Sequence, residues 1–293
     1  MSTTMAKKLS NYDHNWLNLI ALDDWKPLAH WMQYNWFCCV YISIAYVFVI
    51  FTIKQKMQDR EPFKLRNALA LWNAFLGIFS VAGAYYMLPE MFSSLQKSFH
   101  HSVCYASTID RSQFWMWLFA LSKIVELGDT LFIVLRKQNL IFLHWFHHIF
   151  AFIYTWYSFS QNISLGRWFV TMNYCVHSLM YSYYALRALK YRIPRPIAMS
   201  ITTLQIIQMI LGFYVCYYAL SAKLSNSYCE IPTRTATFGF LMYIAFFYMF
   251  ADFFLRAYAQ NLYRTQKYCL KLFTSKQMIP HSRLVSPSIT KVE

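Results

Sequence analysis

Charge is scarce in this chain, and negative charge is scarcer still. Only 13% of its 293 residues are charged, about half the share found in a soluble domain. Water is therefore not the main solvent of its surface. Aspartate and glutamate number 12 against 27 lysines and arginines. Six glycines and eight prolines are too few for a fibrous or low-complexity chain, and no internal repeat or Gly-rich phosphate loop is present. Met1 to Asp24 contains no basic flank leading into an apolar run, so no cleavable signal peptide is expected. Seven dispersed cysteines do not make a disulfide framework.

Apolar sequence takes the place of charge. Hydrophobic residues make up 58% of the chain, in runs of about 20 residues, the length that crosses ~30 Å of hydrocarbon as a helix. Seven spans are predicted, over 33–53, 68–88, 114–135, 140–158, 166–188, 197–219 and 236–257. The fold class is an all-α polytopic membrane protein. It has an N-terminal segment 1–32, a seven-helix domain 33–258 and a basic tail 259–293. The net charge of +15 does not point to nucleic acid, because the cations lie between spans. Lys54, Lys56, Arg60, Lys64 and Arg66 fill one connection, Arg136 and Lys137 another, and Arg187, Lys190, Arg192 and Arg195 a third. Arg264, Lys267 and Lys271 begin the tail. These segments alternate along the chain, so all share one face, which basic-residue bias makes cytosolic. The N-terminus and the loops 89–113, 159–165 and 220–235 then face the lumen. Cys104 and Cys229 fall together on that oxidising side, and a disulfide between them is expected. The sequon at Asn162 also lies there, close to the membrane.

Polar residues inside the spans carry the functional information, since an ionisable group at membrane depth must be paired or working. Lys123, Glu126 and Asp129 recur at i, i+3 and i+6, followed by Thr130. His144, His147 and His148 share one face of the next span, and Asn173, His177, Tyr181 and Tyr184 one face of the fifth. Thr202, Gln205 and Gln208 line the sixth at steps of three. Any single stripe can serve as interhelical glue; four together predict a lined cavity. Two chemistries compete for the histidines. A His-x-x-His-His box suits a membrane di-iron site, but two irons need more ligands than four membrane-depth histidines supply. Neutral imidazole also attacks activated acyl groups and passes the acyl group onward.

The ordered set Lys123-x-x-Glu126-x-x-Asp129-Thr130, His144-x-x-His147-His148, Asn173-x-x-x-His177-x-x-Met180-Tyr181-x-Tyr183-Tyr184 and Thr202-x-x-Gln205-x-x-Gln208 resembles the signature of the ELO family of fatty acid elongases. Leu71-Trp72-Asn73 is similar to a further element of that family. The resemblance spans about residues 30 to 260. Trp145 within the box, and Thr171-Met172-Asn173-Tyr174, resemble the branch that handles saturated and monounsaturated chains.

The resemblance implies six spans around a long tunnel with the first span outside, in the endoplasmic reticulum membrane. It implies condensation of acyl-CoA with malonyl-CoA to 3-oxoacyl-CoA, CO2 and CoA. No metal or other cofactor is expected. Membrane lipid and the reductases and dehydratase of the elongation cycle are the partners it implies; a homo-oligomer stays open. In this reading His147 attacks the acyl thioester, while His144, His148, His177 and Asn173 complete the catalytic group, although periodicity does not separate His147 from His148. Lys123, Glu126, Asp129, Tyr181, Tyr184, Thr202, Gln205 and Gln208 bind substrate. Arg136, Lys137 and Arg187 are candidates to receive the CoA phosphates. Aromatics of the fourth to seventh spans are candidates to close the tunnel's lumenal end. A di-iron desaturase or hydroxylase and a non-catalytic lipid transporter are the alternatives.

Overall fold

The structure is a computed structural model that describes residues 25–259. Among the described residues every regular element is helical. In chain order these are α1 (Trp25–Tyr34), α2 (Cys38–Lys56), α3 (Arg66–Lys97), α4 (Phe99–Cys104) and α5 (Asp110–Glu126). There follow α6 (Gly128–Leu135), α7 (Phe142–Ser160), α8 (Gly166–Ala188), α9 (Arg195–Leu224) and α10 (Thr233–Phe254), with a π-helical turn at Leu255–Ala259. The chain divides into two compact units after Phe250. In the second, Arg256 Nε donates to the Asp252 carboxylate at 2.8 Å, the i, i+4 pairing that their spacing allows. Most of the N-terminal segment and the tail cations Arg264, Lys267 and Lys271 lie outside the described residues.

Four helices are long and apolar enough to cross a membrane by length and composition: Cys38–Lys56, Arg66–Lys97, Arg195–Leu224 and Thr233–Tyr258. Their outward faces agree. Tyr41, Ile44 and Phe48 on α2, and Leu71, Phe75 and Ile78 on α3, are exposed, a contiguous apolar surface that water does not tolerate and lipid does. The protein is a polytopic helical membrane protein. Only four of the seven predicted spans satisfy both length and hydropathy: the segments at 142–160 and 166–188 are lowered by their polar and Tyr-rich faces, and 110–135 is divided into two shorter helices. The predicted third span is moreover not one helix. Its hydrogen-bond ladder tightens at Leu127, where Leu127 N bonds Ile124 O and Thr130 N bonds Leu127 O, and α6 starts afresh at Gly128.

Glycine scarcity shapes the joints. No glycine has a positive φ; Lys137, Asn162, Lys190 and Asn226 take that conformation instead, and each stands just past a helix end. Three of these ends close with the six-residue bond of a Schellman motif, Gln138 N to Ile133 O, Tyr191 N to Leu186 O and Ser227 N to Ala222 O. Satisfying the last carbonyls in this way offsets the left-handed penalty, about 1 kcal/mol for a residue with a Cβ. Glycine is kept for close approach. A Cβ at Gly128 would lie 2.6 Å from the Trp72 ring, so glycine there lets Trp72 reach the α5–α6 break.

Hydrogen bonds sort the connections into two ends. At one, Phe63 N donates to Leu135 O, and Lys137 Nζ donates to Gln58 O at 2.9 Å and Arg60 O at 3.1 Å. The basic segments 57–65 and 136–141 therefore meet. At the other end Cys104 and Cys229 form a disulfide across 125 residues of sequence. Glu230 stitches that end together: its N bonds Cys104 O, its O accepts from Ser164 N and its carboxylate accepts from Ala106 N at 2.7 Å. Behind the disulfide, buried Arg167 donates to Glu90 Oε1 at 2.9 Å and to the carbonyls of Ser102 and Tyr105. Periodicity does not reveal this pair, because Glu90 and Arg167 stand 77 residues apart at the margins of apolar runs.

Candidate active site

A cavity of ≈ 330 Å3 runs inside the first unit, within the range of small-molecule sites. Its long wall is one face of α7: His147, Ala151, Tyr154, Thr155, Ser158 and Phe159 recur at helical spacing. Facing them are Lys123 and Phe119 of α5, Asn173, Val170 and Phe169 of α8, Gln208 and Met209 of α9, and Met242, Tyr243 and Phe246 of α10. Helix directions order these by depth. Lys123, His147, Asn173 and Gln208 mark the limit of the cavity on the side of the basic end, and the middle is largely apolar and aromatic. At the disulfide end stand Trp25, Lys26, His30, Gln33, Gln113, Ser158 and Asn162.

Two features differ from the expected tunnel. The second predicted span, α3, adds no residue to the lining, whereas α1 does; α1 packs against α7. The far end is also not closed by aromatics of the fourth to seventh spans alone. Tyr154, Phe169 and Tyr243 line the middle, and a mixed polar rim follows.

Near His147 the polar groups form two webs, one reaching the cavity wall through Lys123 and Asn173 and one behind it. In the first, Lys123 Nζ donates to both Glu126 oxygens at 2.7 and 2.9 Å and to Asn173 Oδ1 at 2.9 Å. Ser122 donates to Glu126 at 3.0 Å. An ammonium only donates, so Asn173 must present its oxygen to Lys123 and its amide nitrogen to His177. That nitrogen lies 3.1 Å from His177 Nε2, which must accept. The His177 proton then sits on Nδ1, 3.9 Å from Glu126 Oε1. His177, whose ring meets Tyr181 edge-on at 5.2 Å, is thus fixed in one tautomer with its lone pair occupied.

The second web holds the α5–α6 break. Trp72 Nε1 donates to one Asp129 oxygen at 2.6 Å and Tyr181 OH to the other at 2.8 Å. Thr130 Oγ1 lies 2.6 Å from Tyr46 OH and 3.0 Å from His144 Nε2. Tyr46, on α2, was not singled out from sequence; a lone tyrosine among the aromatics of an apolar run gives no signal. His148 packs between the other box rings, with centroids 4.5 Å from His144 and 5.7 Å from His147.

His147 differs from its neighbours. Its ring lines the cavity and packs on Phe246 at 4.8 Å and Phe250 at 5.8 Å. Among the described residues no hydrogen bond engages either of its nitrogens. The structure therefore brings His147, Lys123, Asn173 and Gln208 to the cavity surface and sets His144, His148, His177, Glu126, Asp129 and Tyr181 behind it. Thr202 bonds its own helix at Ala198 O, Gln205 reaches the Met180 sulfur at 3.2 Å, and Tyr184 is exposed; none of the three lines the cavity. Arg136, Lys137 and Arg187 stand at the basic end outside it. Among the described residues no group of three His, Cys, Asp or Glu side chains is placed to hold a metal ion.

Residues 31–266 match the model of the GNS1/SUR4, or ELO, family. A Drosophila melanogaster protein called very long chain fatty acid elongase 6 is 47% identical over 234 residues, covering 78% of this chain and 74% of its own. The Homo sapiens protein of the same name is 42% identical over 242 residues, covering 81% and 90%. A Caenorhabditis elegans protein called putative fatty acid elongase 3 is 45% identical over 235 residues, covering 79% and 73%.

Proposed function

The chain belongs to the ELO family of fatty acid elongation enzymes, and from that premise we propose that it condenses a long-chain acyl-CoA with malonyl-CoA. The observation that carries the chemistry is the contrast between His147 and the rings around it. His144 is tied to Thr130 and His177 to Asn173; His148, also without a hydrogen bond among the described residues, lies off the cavity lining, while His147 faces the cavity with its nitrogens unengaged. A neutral imidazole in an apolar slot is a competent nucleophile toward a thioester.

In the first step a His147 nitrogen adds to the thioester carbonyl and the C–S bond breaks. CoA leaves as the thiol, taking the imidazolium proton, and the acyl group stays on His147. In the second, malonyl-CoA loses its carboxylate as CO2, and the enolate carbon attacks the acyl carbonyl. The C–C bond forms, the C–N bond breaks, and 3-oxoacyl-CoA departs with one external proton consumed overall. Asn173 and Gln208 place amide dipoles at the same end of the cavity, and the Lys123–Glu126 pair fixes Asn173. The fixed dipoles stabilise charge that develops on the carbonyl oxygens, without reorganising during the reaction.

The same reading orients the protein. The basic end meets the cytosol and receives the CoA phosphates through Arg136, Lys137 and Arg187, and the disulfide end meets the lumen of the endoplasmic reticulum. Residues 110–135 form one broken span among seven. The acyl chain lies along α7 toward the disulfide end. Trp145 and the Thr171–Tyr174 segment favour saturated or monounsaturated chains, and the reductases and dehydratase of the cycle consume the product. Labelled CO2 released from malonyl-CoA by the purified protein tests this reading. Release that requires acyl-CoA supports condensation; release indifferent to acyl-CoA, or none, contradicts it.

A further inference from the structure

The far end of the cavity has the wrong polarity for a simple alkyl terminus. Between His147 and Ser158, eleven residues apart on α7, the helical rise gives about 16 Å. Over the first two turns the wall is apolar, with Ala151, Val170, Met209 and Met242 beside the Tyr154 ring, and Thr155 follows. It then turns polar. Gln33 of α1 and Gln113 of α5, both half-buried, stand there with Ser158 and Asn162, and His30 lies on the same face of α1. Gln113 Nε2 donates to Ser107 O and Ser158 Oγ to Thr155 O, which leaves their oxygens to accept. Trp25 anchors α1 in place, with its ring 5.7 Å from both Phe114 and Trp117. The slot is therefore apolar in its middle and hydrogen-bonding at its end.

From this juxtaposition we infer that the far rim is a binding site for a polar ω terminus, and that the enzyme takes ω-hydroxyacyl-CoA substrates of matched length. The inference rests on the reading that the cavity holds the acyl chain. An extended chain advances roughly 1.2 Å per bond, as extended backbone does. The ω carbon of an 8-carbon chain carried near His147 thus ends ~8 Å along, in the apolar stretch short of Thr155, while that of a 16-carbon chain ends ~18 Å along, at the rim. A hydroxyl at the first position is buried without a partner; at the second it meets amides and hydroxyls. Conversely, a methyl at the rim loses burial, at about a fourfold cost per methylene.

The two lengths make opposite predictions, which separates a positioned site from general tolerance. The ω-hydroxyl should lower kcat/KM of the 8-carbon substrate roughly fivefold or more relative to its unsubstituted parent. At 16 carbons the hydroxylated and plain substrates should be within about threefold of each other, or the hydroxylated one preferred. Gln33→Leu combined with Gln113→Leu should shift the 16-carbon ratio toward the plain chain by roughly fivefold or more. Each ratio is read within one protein, so partial loss of folded enzyme does not alter it. A hydroxyl penalty equal at both lengths, or a 16-carbon ratio unmoved in the double variant, overturns the inference while condensation of plain chains continues. No condensation with any acyl-CoA would instead overturn the function on which it rests.

Discussion

Two regions a few ångströms apart use polar side chains in opposite ways. In the web that runs from the cavity wall back into the bundle the major polar groups are engaged: Lys123 and Asn173 at the wall with each other and Glu126 behind it, Asp129 with Trp72 and Tyr181, and Thr130 with Tyr46 and His144. On the wall itself His147 has an apolar ring environment and free nitrogens. A saturated web makes a rigid scaffold, because each donor and acceptor fixes the next and breaking one strands a buried partner. An unsaturated ring in an apolar slot makes a reactive group. Within one motif, His144 is held by the web and His148 is packed off the cavity, which leaves His147 as the ring we propose to react.

Removing the reactive ring should give the largest effect. His147→Ala should lower elongation about 10^4-fold, on the scale seen when a nucleophile is deleted. Its unfolding temperature in detergent should stay close to the parent's; a residual rate within tenfold would erase the contrast. Next is the web. Lys123→Met strands the buried Glu126 carboxylate and should cost about 3–5 kcal/mol of stability, read by chemical unfolding. Adding Glu126→Gln should restore part of that loss, and no restoration would show that the two residues do not act as a pair.

Cys104→Ser should cost about 2–4 kcal/mol through lost cross-linking of the unfolded chain. It sits at the far end and should leave the turnover of folded enzyme unchanged, so a selective loss of turnover would show that the two ends are not separate. The smallest change is Tyr46→Phe. Losing one hydrogen bond in the Thr130–His144 chain should cost about 1 kcal/mol and lower kcat by less than tenfold. A loss as large as that of His147→Ala would move His144 into the reacting group.

Periodicity made the helical membrane class and the four polar stripes legible, because burial and lipid contact both write themselves at 3.6-residue spacing. The alternation of basic connections gave the two ends, and with them the neighbourhood of Cys104 and Cys229. What escaped depended on long-range geometry. The break at Leu127 arises where Trp72, from another helix, approaches Gly128 and Asp129. The Arg167–Glu90 pair joins distant run margins. The part played by α1 was hidden because Trp25, Ala29, His30 and Gln33 form less than three turns, too short to stand out as a lining face. Nor does periodicity rank three histidines on one face; His144 is set apart by its bond to Thr130, and His147 from His148 by its place on the cavity wall.

The central claim is that His147 bears the acyl group. Purified protein mixed with acyl-CoA in the absence of malonyl-CoA, quenched rapidly and analysed by intact mass and peptide mapping, tests it directly. The account predicts one acyl mass added, located on His147, lost on addition of malonyl-CoA and absent in His147→Ala. An adduct that maps to another residue, or that persists in His147→Ala, would contradict it.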